Sequence, residues 1–233
     1  MNANDFSKEQ NIELLNIYKN IFRMSFERKL SHIGSCVTAA PLIYMILGSK
    51  KNTDPFILSS GHAGLALYCV LEELKKEKGL AEKLFDKHGV HPSRDIENDI
   101  WASSGSLGHG IGIGIGYALS NSSITPYILI SDGECSEGSI FEALRVAKEA
   151  DIWMNVFINY NGFGAYKSID KEQLSDMFYA YHSKTKKLIV DLTENGIEDL
   201  PQWLKGLEAH YHVMNEKEYM DILQALNGEY EFN

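Results

Sequence analysis

Basic charge is scarce in this chain: 22 lysines and arginines stand against 32 aspartates and glutamates, a formal net charge of −10. A non-specific nucleic-acid binder needs a basic footprint, so that class is excluded. A small anionic ligand is not, because backbone amides and a metal ion can offset the global charge locally. Cysteine is scarcer still. Cys36, Cys69 and Cys135 are scattered, odd in number and form no CxxC pair. That leaves no disulfide framework and fits a reduced, cytoplasmic protein. No apolar run reaches membrane-spanning length. The polar start Met1-Asn2-Ala3-Asn4-Asp5 lacks the basic-then-apolar pattern of a signal peptide. Neither a P-loop nor a dinucleotide fingerprint occurs. No repeat, low-complexity stretch or clear linker breaks the 233 residues. They suffice for one large α/β domain over 1–233 and are too few for two generous ones.

What is present is an alternation of helix and strand signals. Ile12, Leu15, Ile17, Ile21, Phe22 and Phe26 recur near helical spacing and predict a helix over 7–29. A small-residue turn at 31–35 ends it, and further helices are expected over 37–47, from Gly61-His62 to about Lys76, and near 81–87. A short strand is expected within 54–60. Tyr127 to Ile130 and Met154 to Ile158 are continuous apolar runs flanking a helical stretch from Glu137 to Ala150. That is a βαβ unit, which implies a parallel sheet with helices on its faces. Another strand at 187–192 and a last helix at about 216–227 complete the expectation: a three-layer α/β/α fold with a mostly parallel central sheet.

Ser131-Asp132-Gly133-Glu134 follows one strand and Asn161-Gly162-Phe163 follows the next, roughly thirty residues on. Taken singly, Asp-Gly and Asn-Gly are ordinary turns. In a βαβ context they stand past the carboxyl ends of neighbouring strands, where open α/β sheets bind ligands. The Asp132 carboxylate, the Asn161 amide oxygen and the Phe163 carbonyl are hard oxygen donors suited to Mg²⁺ or Ca²⁺. The set is incomplete unless a phosphate adds oxygens. Gly133 lets the backbone approach such a phosphate, and the helix beginning near Glu137 offers free N–H groups to it. Glu137 and Glu142 also read as helix-stabilising charges in the first turns. Gly108, Gly110, Gly112, Gly114 and Gly116 alternate through an expected helix. Glycine there costs stability, so close packing against a backbone or a flat cofactor is the expected return.

These motifs resemble, in order, those of the transketolase family. Residues 131–163 look like the thiamine-diphosphate fingerprint, with Ser131 in place of its first glycine. Ser31-His32-Ile33-Gly34-Ser35 is similar to the family's Gly-His-Pro-Gly segment, with the proline lost. Asp54 to His62 is similar to Asp-Arg-Phe-x-Leu-Ser-x-Gly-His, and Gly105-Ser106-Leu107-Gly108-His109-Gly110 to Gly-Ser/Pro-Leu-Gly-Gln-Gly. Asp132-Gly133 with Glu137-Gly138 and Glu142 completes the match, which covers about residues 10–165 and resumes near 187–226. The resemblance implies thiamine diphosphate and Mg²⁺ as cofactors. It places Asp132, Asn161 and Phe163 on the metal. It places His62, Gly105, Leu107, Asp132, Gly133, Glu134, Asn161 and His210 or His212 against the cofactor. His32, His62 and His91 become the imidazoles that handle the sugar donor. Glu137 and Glu142 become an interface carboxylate network that serves catalysis. His88 and His182 read as structural or surface residues.

In full-length transketolases a pyrimidine-binding domain follows this one and carries the glutamate that activates the cofactor. Ending at Asn233, the chain is expected to be catalytically incomplete and to pair with a separate pyrimidine-domain chain as a heterotetramer. The stretches 170–187 and 196–212 are short or divergent, which puts an ordinary sugar phosphate in doubt and leaves a nucleotide-linked sugar open. The function implied is ketol transfer from a ketose to an aldehyde. Two alternatives stand beside it: a 2-oxo acid decarboxylase or dehydrogenase component, and a non-catalytic paralogue that regulates a partner.

Overall fold

A computed structural model describes residues 6–164, 167–181, 188–194 (backbone only) and 201–228. The chain forms two compact units, one of residues 1–44, 62–90 and 195–233, the other of 45–61 and 91–194.

The first unit is helical. Helix α1 (Lys8–Glu27) starts where Ser7 and Gln10 close a reciprocal capping box, each side chain bonding the other's backbone N–H. Its apolar stripe buries Leu14, Ile17 and Ile21. Helix α2 (Ile33–Ser49) runs on into the second unit and is apolar almost all round, as a buried helix must be. It begins four residues before the sequence signal, so Gly34 and Ser35 lie in its first turn and not in the preceding loop. Helices α3 (Gly64–Lys75) and α4 (Leu80–His88) follow the expected pattern. Arg23 of α1 bonds Glu82 of α4 at 2.7 Å. The last helix also packs on α1: Phe26 stacks on Tyr219 with ring centroids 4.4 Å apart. That helix spans Glu216–Gly228.

The second unit holds the sheet. Strands β1 (Phe56–Leu58), β2 (Tyr127–Ser131), β3 (Met154–Tyr160) and β4 (Leu188–Glu194) pair in that order, all parallel. The expected α/β class with a parallel sheet is therefore observed. Between the strands lie α5 (Gly110–Ser120), α6 (Gly138–Glu149) and α7 (Lys171–Tyr179). Ile111 and Ile115 of α5, Ile140 and Leu144 of α6, and Leu174 and Phe178 of α7 bury one sheet face with Ile128, Ile130, Val156 and Ile158. Leu58 and Leu129 alternate with that set and are equally buried. Both faces are thus withdrawn from water, as parallel strands require. Helix α7 has no counterpart in the expectation from sequence. Asp170 caps it by accepting from the Gln173 N–H at 2.7 Å, a signal that Asp-x-x-Gln does carry.

Among the described residues no helix is long and apolar enough to cross a membrane. All three cysteines are free and buried.

Candidate cofactor site

The parallel register aligns the ends of β2 and β3: Ser131 pairs with Asn159. The chain after each strand therefore starts from adjacent points, and the two loops meet. Asp132 Oδ2 accepts the N–H groups of Asn161 and Gly162, at 2.9 and 2.8 Å, and Oδ1 accepts that of Gly133 at 2.8 Å. The residue is 1% exposed. Burial pushes its carboxyl up to about 6, against the pull of those three N–H donors. No described lysine, arginine or histidine pairs with it.

That arrangement fits a cation. Three of the carboxylate's four acceptor positions are filled by backbone, and a metal ion at the fourth would restore the charge that burial disfavours. Asn161 Oδ1 accepts from the Phe163 N–H at 3.0 Å, which leaves one of its two lone pairs. Phe163 itself bridges Ser168 in a short antiparallel contact. Among the described residues no three His, Cys, Asp or Glu side chains cluster as a ligand set. A cation here would rest on one carboxylate, neutral oxygens and the oxygens of an anionic ligand, which is how Mg²⁺ is commonly held.

Glu134, two residues on, is a different kind of carboxylate. It is fully buried. Its Oε1 accepts from Ser59 Oγ at 2.6 Å and from the Gly108 N–H at 2.9 Å, and its Oε2 accepts from the Ser131 N–H at 3.0 Å. Burial raises its pKa, and the Ser59, Gly108 and Ser131 donors oppose the rise. These donors all belong to the protein, so Glu134 faces inward. Cys135 is held uncharged by burial and by the adjacent Asp132 and Glu134 charges.

The glycines show how tightly this region closes. A Cβ on Gly110 would sit 2.4 Å from the Ser59 Cβ, and one on Gly114 2.8 Å from the Ile128 Cδ1. Gly112 and Gly116, on the other side of α5, meet nothing within 4 Å. The expected close packing holds for half the glycines of this helix. The rest look outward, Gly112 onto a shallow groove of about 380 Å³ lined also by Gly108, His109, Ile113, Ser139 and Ala143. Gly61 abuts the backbone of Ser104 and Gly105, within 2.6–2.8 Å of a notional Cβ. Gly105 has φ 134° and packs under the His91 ring. Leu107 lies in the turn leading to α5 and is half-buried. Glu137 is half-buried at the start of α6, where no side chain caps the helix. Glu142 is exposed, so the chain by itself forms no Glu137–Glu142 network.

The helical unit brings three histidines together. The His32 ring lies 5.4 Å from that of His62 and 4.3 Å from that of His210, and His62 and His210 are 5.5 Å apart. The His32 N–H donates to the His210 carbonyl at 3.0 Å, and Ser31 Oγ lies 2.7 Å from His32 Nδ1. His32 adopts φ 62°, a left-handed conformation costly for a residue with a Cβ. Burial lowers the His210 pKa, which keeps that imidazole neutral near pH 7. His210 and His212 differ in their packing. His210 joins the cluster, whereas His212 bonds Glu218 at 2.8 Å and packs on Trp203. Tyr211 also touches His32, a contact that no motif in the chain announces. The His88 ring stacks on Tyr68. His182 falls outside the described residues.

No family model matches the sequence. Among curated proteins it is 31% identical over 153 residues to an apulose-4-phosphate transketolase subunit of Phocaeicola vulgatus, covering 56% of this chain and 53% of that one. It is 28% identical over 151 residues to the transketolase of Mycoplasma genitalium, covering 51% of this chain and 23% of that one. The chain thus matches about half the length of the first relative and about a quarter of the second. Among solved structures, transketolase from Campylobacter jejuni superposes on 92% of this chain and 42% of its own, with TM-score 0.64 at 18% identity. Transketolase from Leishmania mexicana covers 82% of this chain and 36% of its own, with TM-score 0.58 at 16% identity. The chain is thus similar in sequence to transketolases over about half its length, and it shares the fold of part of the solved transketolases.

Proposed function

We propose that the chain is the diphosphate-holding component of a two-chain, thiamine-diphosphate-dependent transketolase. It binds the cofactor with Mg²⁺ and works with a separate pyrimidine-domain chain, as a heterotetramer, to move a two-carbon ketol unit from a ketose to an aldehyde. The observation that carries this reading is the buried Asp132 carboxylate. It is gripped by the Asn161–Gly162 backbone at the ends of adjacent parallel strands and has no described cationic partner. The Phocaeicola relative is named as one subunit of its enzyme, which supports the two-chain arrangement.

In this reading Asp132, the Asn161 amide oxygen and the Phe163 carbonyl hold the metal. Gly133, whose lack of a side chain permits close approach, and the uncapped N-terminus of α6 receive the diphosphate. Gly105 and Leu107 lie against the aminopyrimidine. His62 and His210 contact the cofactor, His210 as a neutral ring able both to donate and to accept. His32, His62 and His91 bind donor hydroxyls and carry protons, and Glu137 links to the partner's active site. Thiamine diphosphate, when bound, supplies the carbanion chemistry.

The test is calorimetric titration of thiamine diphosphate with Mg²⁺ into the chain mixed with a pyrimidine-domain partner, beside an Asp132→Ala control. Saturable, Mg²⁺-dependent heat that the substitution abolishes supports the proposal. No heat from a verified complex sinks it.

A further inference from the structure

We infer that Glu134 is a positioning residue: it locks the turn that leads into α5 against the Asp132 loop, and so sets the shape in which the anionic ligand is received without touching that ligand. The inference rests on the thiamine-diphosphate reading and removes Glu134 from the set of direct cofactor contacts.

Through its two oxygens Glu134 ties together three segments of the chain. It holds the end of β1 through Ser59, 75 residues away, and the α5 entry through the Gly108 N–H, 26 residues away. The end of β2 is held through the Ser131 N–H, three residues away. Ser59 extends the hold, because its Oγ donates to Glu134 and accepts from the Gly110 N–H at 3.0 Å. On the far side Ser139 Oγ of α6 donates to the Gly108 carbonyl at 3.1 Å. The turn is thus fixed at both of its backbone poles. The glycines admit no slack, since a Cβ at Gly108 would meet Ser139 Oγ at 2.4 Å.

Only a carboxylate suits this post. Every neighbour bonded to it is a donor, and an ionised carboxyl offers acceptors alone. An amide of the same shape would turn an NH₂ toward at least one N–H or O–H donor. Glu134 has no exposed surface, and its three donors come from three separate segments of the chain. A residue acting through its neighbours in this way typically changes ligand affinity by about 10–100-fold when replaced.

The experiment uses the full chain labelled with ¹⁵N, with affinities measured in complex with the pyrimidine-domain partner, and compares wild type with Glu134→Gln, Ser59→Ala and Leu144→Ala. Leu144 is buried under the same sheet and has no polar link to the turn, so its loss reports destabilisation alone. Glu134→Gln is expected to move the amide resonances of Gly108, Gly110 and Ser131 and to weaken Mg²⁺–thiamine diphosphate binding about tenfold or more. Ser59→Ala, which carries the test if Glu134→Gln does not fold, should move Gly108 and Gly110 and weaken binding less. Leu144→Ala should lower Tm and leave affinity within about twofold of wild type. Binding by Glu134→Gln within about twofold of wild type, or a loss no greater than in Leu144→Ala, overturns the inference. If wild type in a verified complex with the pyrimidine-domain partner binds no thiamine diphosphate, the functional reading fails separately. The amide shifts then decide the coupling alone, and unmoved Gly108 and Gly110 resonances in Glu134→Gln would overturn that too.

Discussion

At the ends of β2 and β3, Asp132 and Glu134 are withdrawn from water and held by N–H and O–H donors. In the helical unit, His32, His62 and His210 pack ring against ring, with the His32 N–H on the His210 carbonyl and Ser31 Oγ beside His32 Nδ1. The first region is assembled by sheet register. Once β2 and β3 pair, their loops have nowhere else to go. The second is assembled by bringing residues 32, 62 and 210 to one point, with a left-handed backbone at His32 as part of the cost. Register-built sites are rigid and sensitive to any added atom. Ring-built sites tolerate more at the backbone and depend on each ring.

The largest effect should come from breaking the register-built site. Asp132→Ala leaves three backbone N–H groups without their acceptor and removes the carboxylate proposed to hold the metal. Mg²⁺-dependent binding of thiamine diphosphate should fall by more than about 100-fold, and the urea midpoint should drop by the equivalent of about 1–3 kcal/mol. Unchanged calorimetry would mean the cation is held elsewhere.

Next comes the ring cluster. His32→Gly relieves a φ of 62° but deletes a ring. Stability should change by less than about 1 kcal/mol, while the proposed ketol transfer, assayed with the pyrimidine-domain partner, should fall about 100-fold. A large stability loss with intact turnover would show that His32 serves packing alone.

A third contrast is pH. Burial raises the folded-state Asp132 pKa to about 6 from the ordinary 3.8. The folded chain therefore keeps a proton that the unfolded chain loses between those values. Stability of the ligand-free protein should fall as pH rises from about 4 to about 6, then level off. Urea melts across that range should show the slope, and Asp132→Asn should flatten it. The proposed metal role predicts the opposite trend for cation affinity, because it requires ionised Asp132. A Kd for Mg²⁺ that does not improve between about pH 5 and about pH 7 would remove Asp132 from the ligand set.

The smallest effects separate the two faces of α5. Gly110→Ala forces a Cβ into Ser59 and should cost about 1–3 kcal/mol. Gly112→Ala meets open space and should gain about 0.5–1 kcal/mol from helix propensity alone. Thermal melts of the pair check both, and equal Tm values would mean that the helix shifts to absorb the added methyl group.

Much of this was legible in the chain's order of residues. Apolar runs around 127–130 and 154–158 with a helical stretch between them predicted β2, α6 and β3. The Asp132 and Asn161 motifs fell past the strand ends because a βαβ unit leaves them there. Less visible was α7, whose apolar residues are few and whose capping signal, Asp170 with Gln173, is brief. The partners of Glu134 were not visible at all. Ser59 and Gly108 lie far from it in sequence, and nothing local marks a serine hydroxyl as the relay to Gly110. Nor could spacing separate His210 from His212, two residues apart on one short 3₁₀ stretch and its edge.

The sequence by itself determined the fold class, the strand-end loops and the types of group they carry, because these follow from periodicity and from chemistry within a few residues. Only the tertiary structure decided which donors bond each buried carboxylate, which glycines are pinned and which histidine joins the cluster. Those outcomes depend on contacts between segments distant along the chain, whose geometry is set by how sheet and helices pack and not by any local signal.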